Sequence, residues 1–324
     1  MKSKPIFSYV RNFEFGDRDH FWVVKGIAIL AALIAWFCGT FLEIRNMSLI
    51  TKSVMAVFVM CSGFGVSESY LKKRGLFHYW ENKIIKVWIP SLIVLVILSL
   101  IRGRIFFSWI SKYPVALKGS VMYVIFGGYI VFWAAFKFIP NRIARICTLF
   151  GAALVAFVFL PEDFSAKAQV FSFPIGVLVS QMGWKRKIRA YTGKGKALLL
   201  LSCLAIGVIA WFVARQLTVP YLDTLLWSVY YMAAAASLIV LVWLLKTLPG
   251  LGIFAPVGVA AYMLYLLYDS VFDLLKSDSD WRVFVLVVVI LFVAAGVLTW
   301  LRELLIRWNK NLRRKGKTQL KGSM

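Results

Sequence analysis

Long apolar stretches alternate with short polar segments along the whole chain. Crossing a hydrocarbon core of about 30 Å as an α-helix takes roughly 18 to 24 apolar residues. The pattern predicts ten spans, with approximate ranges 21–43, 50–69, 85–102, 119–138, 143–160, 166–182, 196–216, 222–245, 251–274 and 282–306. The sixth is short and interrupted by Pro174, and the tight join "FIPNRIAR" between the fourth and fifth predicts a helical hairpin. We therefore predict an all-α integral membrane protein, a bundle of about ten transmembrane helices.

The composition supports this fold class, because 61% of the 324 residues are hydrophobic, more than a water-soluble fold tolerates. Residues 1–20 are polar or mixed and are predicted to form a cytoplasmic N-terminal segment rather than a cleaved signal peptide. Residues 21–306 form the predicted membrane domain, and residues 307–324 a basic cytoplasmic tail. The loops are short, so any chemistry is expected within the bundle or at its faces.

The distribution of basic residues predicts the orientation, since cytoplasmic loops retain Lys and Arg. With the N-terminus inside and ten spans, most of the 38 lysines and arginines fall on the inner side, including the run "KRKIRAYTGKGK" and the C-terminal tail. We predict an N-in, C-in topology. The net charge of +24 is then explained by inner loops and a tail that face anionic lipid headgroups, and it indicates no nucleic-acid partner.

Several kinds of site are absent from the sequence. The four cysteines fall inside predicted spans without paired spacing, which argues against disulfides and against a zinc site. No glycine-rich phosphate loop followed by Lys-Ser or Lys-Thr is present. We therefore predict no metal and no bound cofactor.

Polar residues at membrane depth are the candidates for function, because they are costly to place there. Lys25 lies about one turn into the first span, where it either snorkels to the headgroups or faces a site inside the bundle. Lys83 and Lys86, in "ENKIIKVWIP", are three residues apart and are expected on one helical face at the inner end of the third span. They are either interfacial anchors or a pair of cations that hold a phosphate-bearing ligand. Asp269 and Asp273 lie four residues apart near the outer end of the ninth span. They are either solvated residues at a helix end or functional carboxylates.

Several segments together resemble the bacterial membrane acyltransferase 3 family. They are "RDHFWVVKGIAIL", "AVFVMCSGFGVSESYLKKRG", "NKIIKVWIPSL", "FSFPIGVLVSQ" and "VAAYMLYLLYDSVFDLL", in this order over about residues 15 to 305. The resemblance implies a ten-helix protein in the bacterial inner membrane that moves an acyl group, often acetyl, from a cytoplasmic thioester donor to envelope sugars. Acyl-CoA is the co-substrate it suggests, and an envelope polysaccharide or lipid-linked sugar the acceptor.

The resemblance also assigns roles, and the chain departs from two of them. The family's first span carries a basic residue, ten intervening positions and a histidine taken to be the catalytic base; from Lys25 this spacing leads to Trp36. A second histidine, in a "YLLH"-like stretch of the ninth span, is replaced by Tyr268. The family's Arg-x-x-Arg becomes Lys83 and Lys86, which keep the charge but lose the planar fork that grips phosphate.

Losing the histidine matters because transfer to a sugar hydroxyl requires removal of a proton from an alcohol. The indole of Trp36 cannot accept that proton, since its N–H is only a donor. His20 and His78 are the chain's two histidines, and we expect both near the cytoplasmic surface, roughly 15 Å or more from position 36. Asp269 is therefore the predicted replacement base.

Three functions follow from this sequence. The protein is a working acyltransferase with a rearranged base, or a family member that has lost catalysis and moves or exports a glycan or lipid over stacking surfaces such as Trp36, Trp88, Trp133 and Tyr268. The third is a structural partner in a polysaccharide-synthesis complex. The intact scaffold and the predicted cationic entrance favour the first, and the missing histidines favour the second.

Overall fold

A computed structural model describes most of the chain. It covers residues 13–93 except 74 and 77, residue 96, residues 121–217 except 162–165, residue 219, and residues 221–275 and 281–322. For residues 86, 121–122, 268–275 and 309–322 it describes the backbone alone.

The described residues form helices and contain no strand. The α-helices are α1 (Arg18–Phe41), α2 (Met47–Lys73), α3 (Tyr79–Lys83), α4 (Val121–Phe138), α5 (Arg142–Phe159), α6 (Ser172–Gln181), α7 (Trp184–Arg189), α8 (Gly193–Gln216), α9 (Leu222–Leu244), α10 (Phe254–Leu275) and α11 (Trp281–Gly322). A π-helical turn, Ile84–Trp88, continues α3, and 3-10 turns occupy Lys167–Gln169, Leu245–Thr247 and Leu251–Ile253. The predicted all-α fold is confirmed.

Six of the described helices are long and apolar enough to cross a membrane, namely Arg18–Phe41, Met47–Lys73, Arg142–Phe159, Gly193–Gln216, Leu222–Thr247 and Trp281–Trp308. Two shorter apolar helices, Tyr123–Phe138 and Leu251–Leu267, accompany them. The protein is thus a multi-pass membrane protein, while the count of ten spans and the N-in, C-in orientation remain predictions. The predicted third span, 85–102, is described only in part.

The sixth predicted span differs most from expectation. Residues 166–182 form a 3-10 turn followed by α6, whose ten residues extend only about 15 Å and do not cross a bilayer alone. Pro174 lies in the first turn of α6, where no intrahelical N–H is needed, so it begins this helix rather than interrupting a longer one. The turn itself is buried, Lys167 included.

Local sequence signals set other boundaries as predicted. Pro140 follows the end of α4, and the side chain of Asn141 then caps α5 by accepting hydrogen bonds from the backbone N–H of Ile143 (2.8 Å) and Ala144 (3.3 Å). This join produces the predicted hairpin of α4 and α5. At the other end of the chain, α11 continues to Gly322, so the predicted basic tail begins as part of the last helix.

The chain divides into two compact units. The large unit contains Phe7–Phe77 and Lys112–Gly258, and the small unit contains Met1–Ile6, His78–Ser111 and Val259–Met324. Within the large unit, α2 is central and packs against α1, α6 and α9, while α8 packs along α9. The outward faces of α5 and α8 are apolar and exposed, as expected of surfaces in contact with lipid.

Small residues allow the closest helix contacts in the large unit. A Cβ on Gly63 of α2 would overlap the backbone carbonyl of Phe173, and one on Gly176 of α6 would overlap that of Met60. The same reciprocal arrangement joins α1 to the first turn of α10, where Gly26 meets the carbonyl of Phe254 and Gly258 meets that of Trp22. These two pairs fix α2 against α6 and α1 against the start of α10.

Candidate functional site

Lys25 is directed toward the interior of the large unit. Its side chain is half-buried, and its ammonium is close enough to interact electrostatically with the thiol of Cys61 on α2 and the phenol of Tyr129 on α4. The hydroxyl of Tyr129 hydrogen-bonds Ser62, whose own hydroxyl donates to the carbonyl of Phe58 at 2.8 Å. We call Lys25, Cys61, Ser62 and Tyr129 the Lys25 cluster.

Glycines position this cluster. Lys25 precedes Gly26 and Ser62 precedes Gly63, the two glycines at which α1 and α2 approach neighbouring backbone. Tyr129 follows Gly128, where a Cβ would lie 2.8 Å from the ring of Phe173. Lys25, Ser62 and Tyr129 therefore stand beside close packing points of their helices.

The cluster can bind or stabilise negative charge. The Lys25 ammonium offers three donors, and the hydroxyls of Ser62 and Tyr129 each donate or accept. Lys and Tyr are also among the side chains that transfer protons in catalysis. The sequence indicated Lys25 but not its partners; the only signal was the polar residue beside a glycine in "CSGFG" and in "GGY".

Trp36 lies on the same helix as Lys25, eleven residues further on. Eleven residues are close to three helical turns, so Trp36 is on the same face of α1, about 16 Å toward its C-terminal end. The indole is half-buried and packs edge-to-face with Phe41 at 6.0 Å between ring centroids. The indole of Trp36 contributes packing and a hydrogen-bond donor, but it has no atom that accepts a proton.

Lys83 and Lys86 lie in the small unit, on either side of a change in helix type. Lys83 ends α3, half-buried, with its ammonium 5.8 Å from the centre of the Tyr79 ring. Lys86 lies inside the π-helical turn, and its side chain is outside the described residues. Whether the two lysines share one face, as expected from α-helical spacing, stays a prediction.

The π-helical turn is held by the hydroxyl groups of Ser91, three residues after it, and of Tyr262 on α10. Those of Ser91 and Tyr262 lie 2.7 Å apart, and both are within hydrogen-bonding distance of the carbonyl of Val87, at 2.7 and 3.1 Å. Single π turns inside helices are frequent at functional sites. This turn, which the sequence did not predict, is the structural setting of Lys86.

Tyr268, Asp269 and Asp273 fall within α10, where the structure describes the backbone alone. The side chains on which their predicted roles depend lie outside the described part of the structure. The candidate residues therefore fall into two sets. Lys25 and Trp36 belong to the large unit, and the small unit contains Lys83, Lys86, Tyr268, Asp269 and Asp273. Across the described residues no group of three or more His, Cys, Asp or Glu side chains could hold a metal ion.

The imidazoles of His20 and His78 make contacts outside the Lys25 cluster. The ring of His20 is fully buried within the protein, and its expected place near the cytoplasmic surface of the membrane stays a prediction. Its Nδ1 accepts a hydrogen bond from the N–H of Gly16 at 3.1 Å, so its Nε2 carries the proton and donates to the carbonyl of Ile239 at 3.1 Å. His78 is exposed and pairs with Glu81 at 2.8 Å. Neither imidazole belongs to the Lys25 cluster.

Ion pairs join the N-terminal segment to the end of the large unit near His20. Asp17 contacts Arg189 at 2.7 Å and Lys185 at 3.3 Å, Lys185 contacts Glu68 at 3.4 Å, and Glu14 contacts Lys246 at 2.7 Å. The hydrogen bond from Lys246 lowers the pKa of Glu14. Partial burial opposes ionisation of Asp17, but Arg189 and Lys185 outweigh it and lower the pKa of this carboxyl. We call these six residues the N-terminal clasp.

Comparison with known proteins identifies the family. The family model described as an acyltransferase domain, Acyl_transf_3, matches residues 23–301, which include Lys25, Trp36, the Lys83–Lys86 pair and α10. The chain belongs to the acyltransferase 3 family. No curated protein and no solved structure matches it. As a family member it is a membrane acyltransferase.

Proposed function

We propose that this membrane acyltransferase transfers an acetyl group from a cytoplasmic thioester donor, acetyl-CoA, to a hydroxyl of an envelope polysaccharide or lipid-linked sugar, and that it does so in the inner membrane of a bacterium. The observation that carries the proposal is the orientation of Lys25, the first residue of the family's catalytic spacing. Its ammonium interacts with the buried phenol of Tyr129, which hydrogen-bonds Ser62, whereas a snorkelling lysine would extend to the headgroups.

Acyl transfer develops negative charge that the Lys25 cluster can stabilise. The acceptor oxygen attacks the thioester carbonyl, the C–S bond breaks, and the thiolate leaves and takes up a proton, while the acceptor hydroxyl loses one. Negative charge develops on the carbonyl oxygen, where the Lys25 ammonium and the neighbouring hydroxyls provide electrostatic stabilisation. Asp269 is the base predicted from the sequence, and the phenol of Tyr129, hydrogen-bonded to Ser62, is a donor to the developing charge.

The test is acetyl transfer by purified protein from radiolabelled acetyl-CoA to an envelope fraction, with Lys25→Met compared with Lys52→Met. Lys52 is a half-buried lysine of α2 whose contact with Gln169 is made by its backbone carbonyl, at 3.0 Å, so its side chain is a matched control. We expect Lys25→Met to lower transfer about 100-fold or more and Lys52→Met to leave it unchanged. Equal activity in the two variants would contradict the proposal.

The same assay tests the roles of Asp269 and Tyr129. Loss of transfer in Asp269→Asn supports Asp269 as the base, and loss in Tyr129→Phe supports the phenol as a donor to the developing charge. Full activity in both removes both from the mechanism.

The alternative function, a lapsed family member that moves or exports a glycan or lipid, is favoured by one observation. Trp36 offers no proton acceptor, and the buried His20 is bonded to backbone at both ring nitrogens. Folded wild-type protein that binds an envelope glycan but transfers no acetyl group would favour this alternative.

A further inference from the structure

The buried turn Lys167–Gln169 contains a lysine whose charge is not balanced. Lys167 is 2% exposed, and its ammonium lies over two aromatic rings, 4.8 Å from the centre of the Tyr221 ring and 5.4 Å from that of Phe157. In the described part of the chain no carboxylate and no hydrogen-bond acceptor contacts this ammonium. Aromatic faces recover only part of the hydration that a buried ammonium loses. An ionisable side chain left in this state indicates a binding site.

Neighbouring polar groups of the same segment also lack partners. Gln169 and Ser172 are fully buried, and neither the Oε1 of Gln169 nor the hydroxyl of Ser172 has a hydrogen-bond partner. The Nε2 of Gln169 donates to the carbonyl of Lys52 at 3.0 Å, which joins the turn to the start of α2. Buried polar groups with a purely structural role are normally satisfied. Three polar groups within six residues thus have no hydrogen-bond partner among the residues that the structure describes.

The ammonium of Lys167 lies between a core residue and a surface residue. Phe157 is buried, whereas Tyr221 is 50% exposed. Tyr221 is the N-cap of α9, a helix of membrane length, so its ring lies at a helix end rather than along the face that meets acyl chains. Its φ of 67° is a backbone conformation that non-glycine residues rarely adopt and that is frequent at binding sites. A ligand that reaches Lys167 from outside therefore meets the ring of Tyr221.

The Lys167 turn and the N-terminal clasp lie at opposite ends of α2. Gln169 contacts Lys52 near the start of this helix, and the clasp residue Lys185 contacts Glu68, about 24 Å further along it. In the predicted N-in topology the clasp is cytoplasmic. Lys167 is then on the side of the membrane that faces the envelope.

We propose that Lys167 binds the carboxylate or phosphate of an acidic sugar in the glycan that accepts the acyl group, and that the ring of Tyr221 packs on this sugar. An anion supplies the charge that the ammonium lacks. The exposed ring beside it favours a sugar over a free ion, because the apolar face of a sugar packs on an aromatic face. The choice of a glycan rests on the proposed function.

The test is equilibrium dialysis of purified full-length protein in detergent against tritiated sugars. The trimer of galacturonic acid is compared with its methyl ester, which keeps the sugar rings but lacks the charge, and mannose 6-phosphate is compared with mannose. We expect tighter binding of a charged sugar than of its uncharged counterpart. A preference in the first pair assigns the anion as a carboxylate, and one in the second pair as a phosphate. No acyl donor is present, so failure of this site and failure of acetyl transfer are separate results.

Three variants test the two contacts. Lys167→Met removes the charge, and we expect it to weaken binding of the preferred charged sugar about 10- to 100-fold and to leave binding of the uncharged one unchanged. Lys137→Met is the matched control and should bind as the wild type does. The ammonium of Lys137 also lies over two rings, Trp133 at 4.7 Å and Phe138 at 5.1 Å, but this residue is exposed. Tyr221→Leu should weaken binding of charged and uncharged sugars alike, about fivefold.

The melting temperature separates binding from a structural role of Lys167. A buried ammonium without a counter-charge costs stability, so Lys167→Met should leave the melting temperature unchanged or raise it. A lower melting temperature would show that Lys167 pairs with an internal charge, such as Glu162 or Asp163 outside the described residues, and would overturn the proposal. The proposal also fails if neither charged sugar is preferred, if Lys167→Met binds as the wild type does, or if Lys137→Met loses as much binding. Unchanged binding in Tyr221→Leu would contradict the contact between the ring and the sugar.

Discussion

Lys25, Ser62 and Tyr129 each stand next to a glycine at which two helices touch. The sequence identified Lys25 from its depth in an apolar run, but it left open whether the side chain faced lipid or protein. That choice depends on which face of α1 meets α2 and α4, and the two partners come from elements 37 and 104 residues further along the chain. The apolar pattern of a buried membrane helix continues on every face and does not specify this pairing.

Trp36 provides a prediction at the same scale. Because Trp36 lies on the Lys25 face of α1, an imidazole at position 36 would supply a proton acceptor on that face. We expect Trp36→His to raise acetyl transfer about 100-fold, the lower end of the contribution of a general base. Trp36→Phe is the control, since it keeps an aromatic ring without a proton acceptor. A similar gain in both variants would show that removal of the indole, rather than the added base, is responsible.

At the scale of helices, the small residues Gly63, Gly65, Gly127, Gly128 and 233–236 predict close helix contacts, and this prediction is right at some positions and wrong at others. Gly63 and Gly128 lie at close contacts, and Ala233 lies 3.5 Å from the position of a Cβ on Gly207. Gly65 and Gly127, predicted for the same role, have no neighbour within 4 Å. Residues two apart point to nearly opposite faces of a helix, so only one of Gly63 and Gly65 can meet α6. The sequence marks small residues but not the contact face.

This difference predicts opposite effects of the same substitution within α2. Gly63→Ala places a methyl group against the carbonyl of Phe173 and should lower the free energy of unfolding by about 1–3 kcal/mol. Gly65→Ala meets open space and should raise it by about 0.5–1 kcal/mol, because alanine favours the helix. Thermal unfolding of both variants in one detergent is the measurement. Equal destabilisation would mean that α2 and α6 do not approach at Gly63.

For the whole molecule, hydropathy predicted the helical class and where most helices lie, since each described span contains a helix near its predicted range. It did not predict that the N-terminal segment is part of the folded large unit. Phe13 and Phe15 are buried, and Asp17 pairs with Arg189, 172 residues away. Such pairs depend on the packed arrangement of the helices, and a polar N-terminal segment carries no local signal for them.

The N-terminal clasp predicts how the stability of the large unit depends on pH. The pKa values of Glu14 and Asp17 are lowered in the folded protein, so their contribution is complete above the unfolded values of about 4 and is lost as the pH falls through the folded values. Both carboxyls are over one-third exposed, so each pair is expected to contribute at most about 1 kcal/mol.

Asp17→Asn should therefore lower the melting temperature by about 2–4 °C at pH 7 and by progressively less below about pH 4, as the pH falls through the lowered pKa of the wild-type carboxyl. The two curves of melting temperature against pH are expected to converge in acid. Glu43→Gln, at an exposed carboxyl outside the clasp, is the control and should give a curve parallel to the wild type. A constant difference in melting temperature between Asp17→Asn and the wild type down to pH 3 would show that Asp17 acts through packing rather than through its charge.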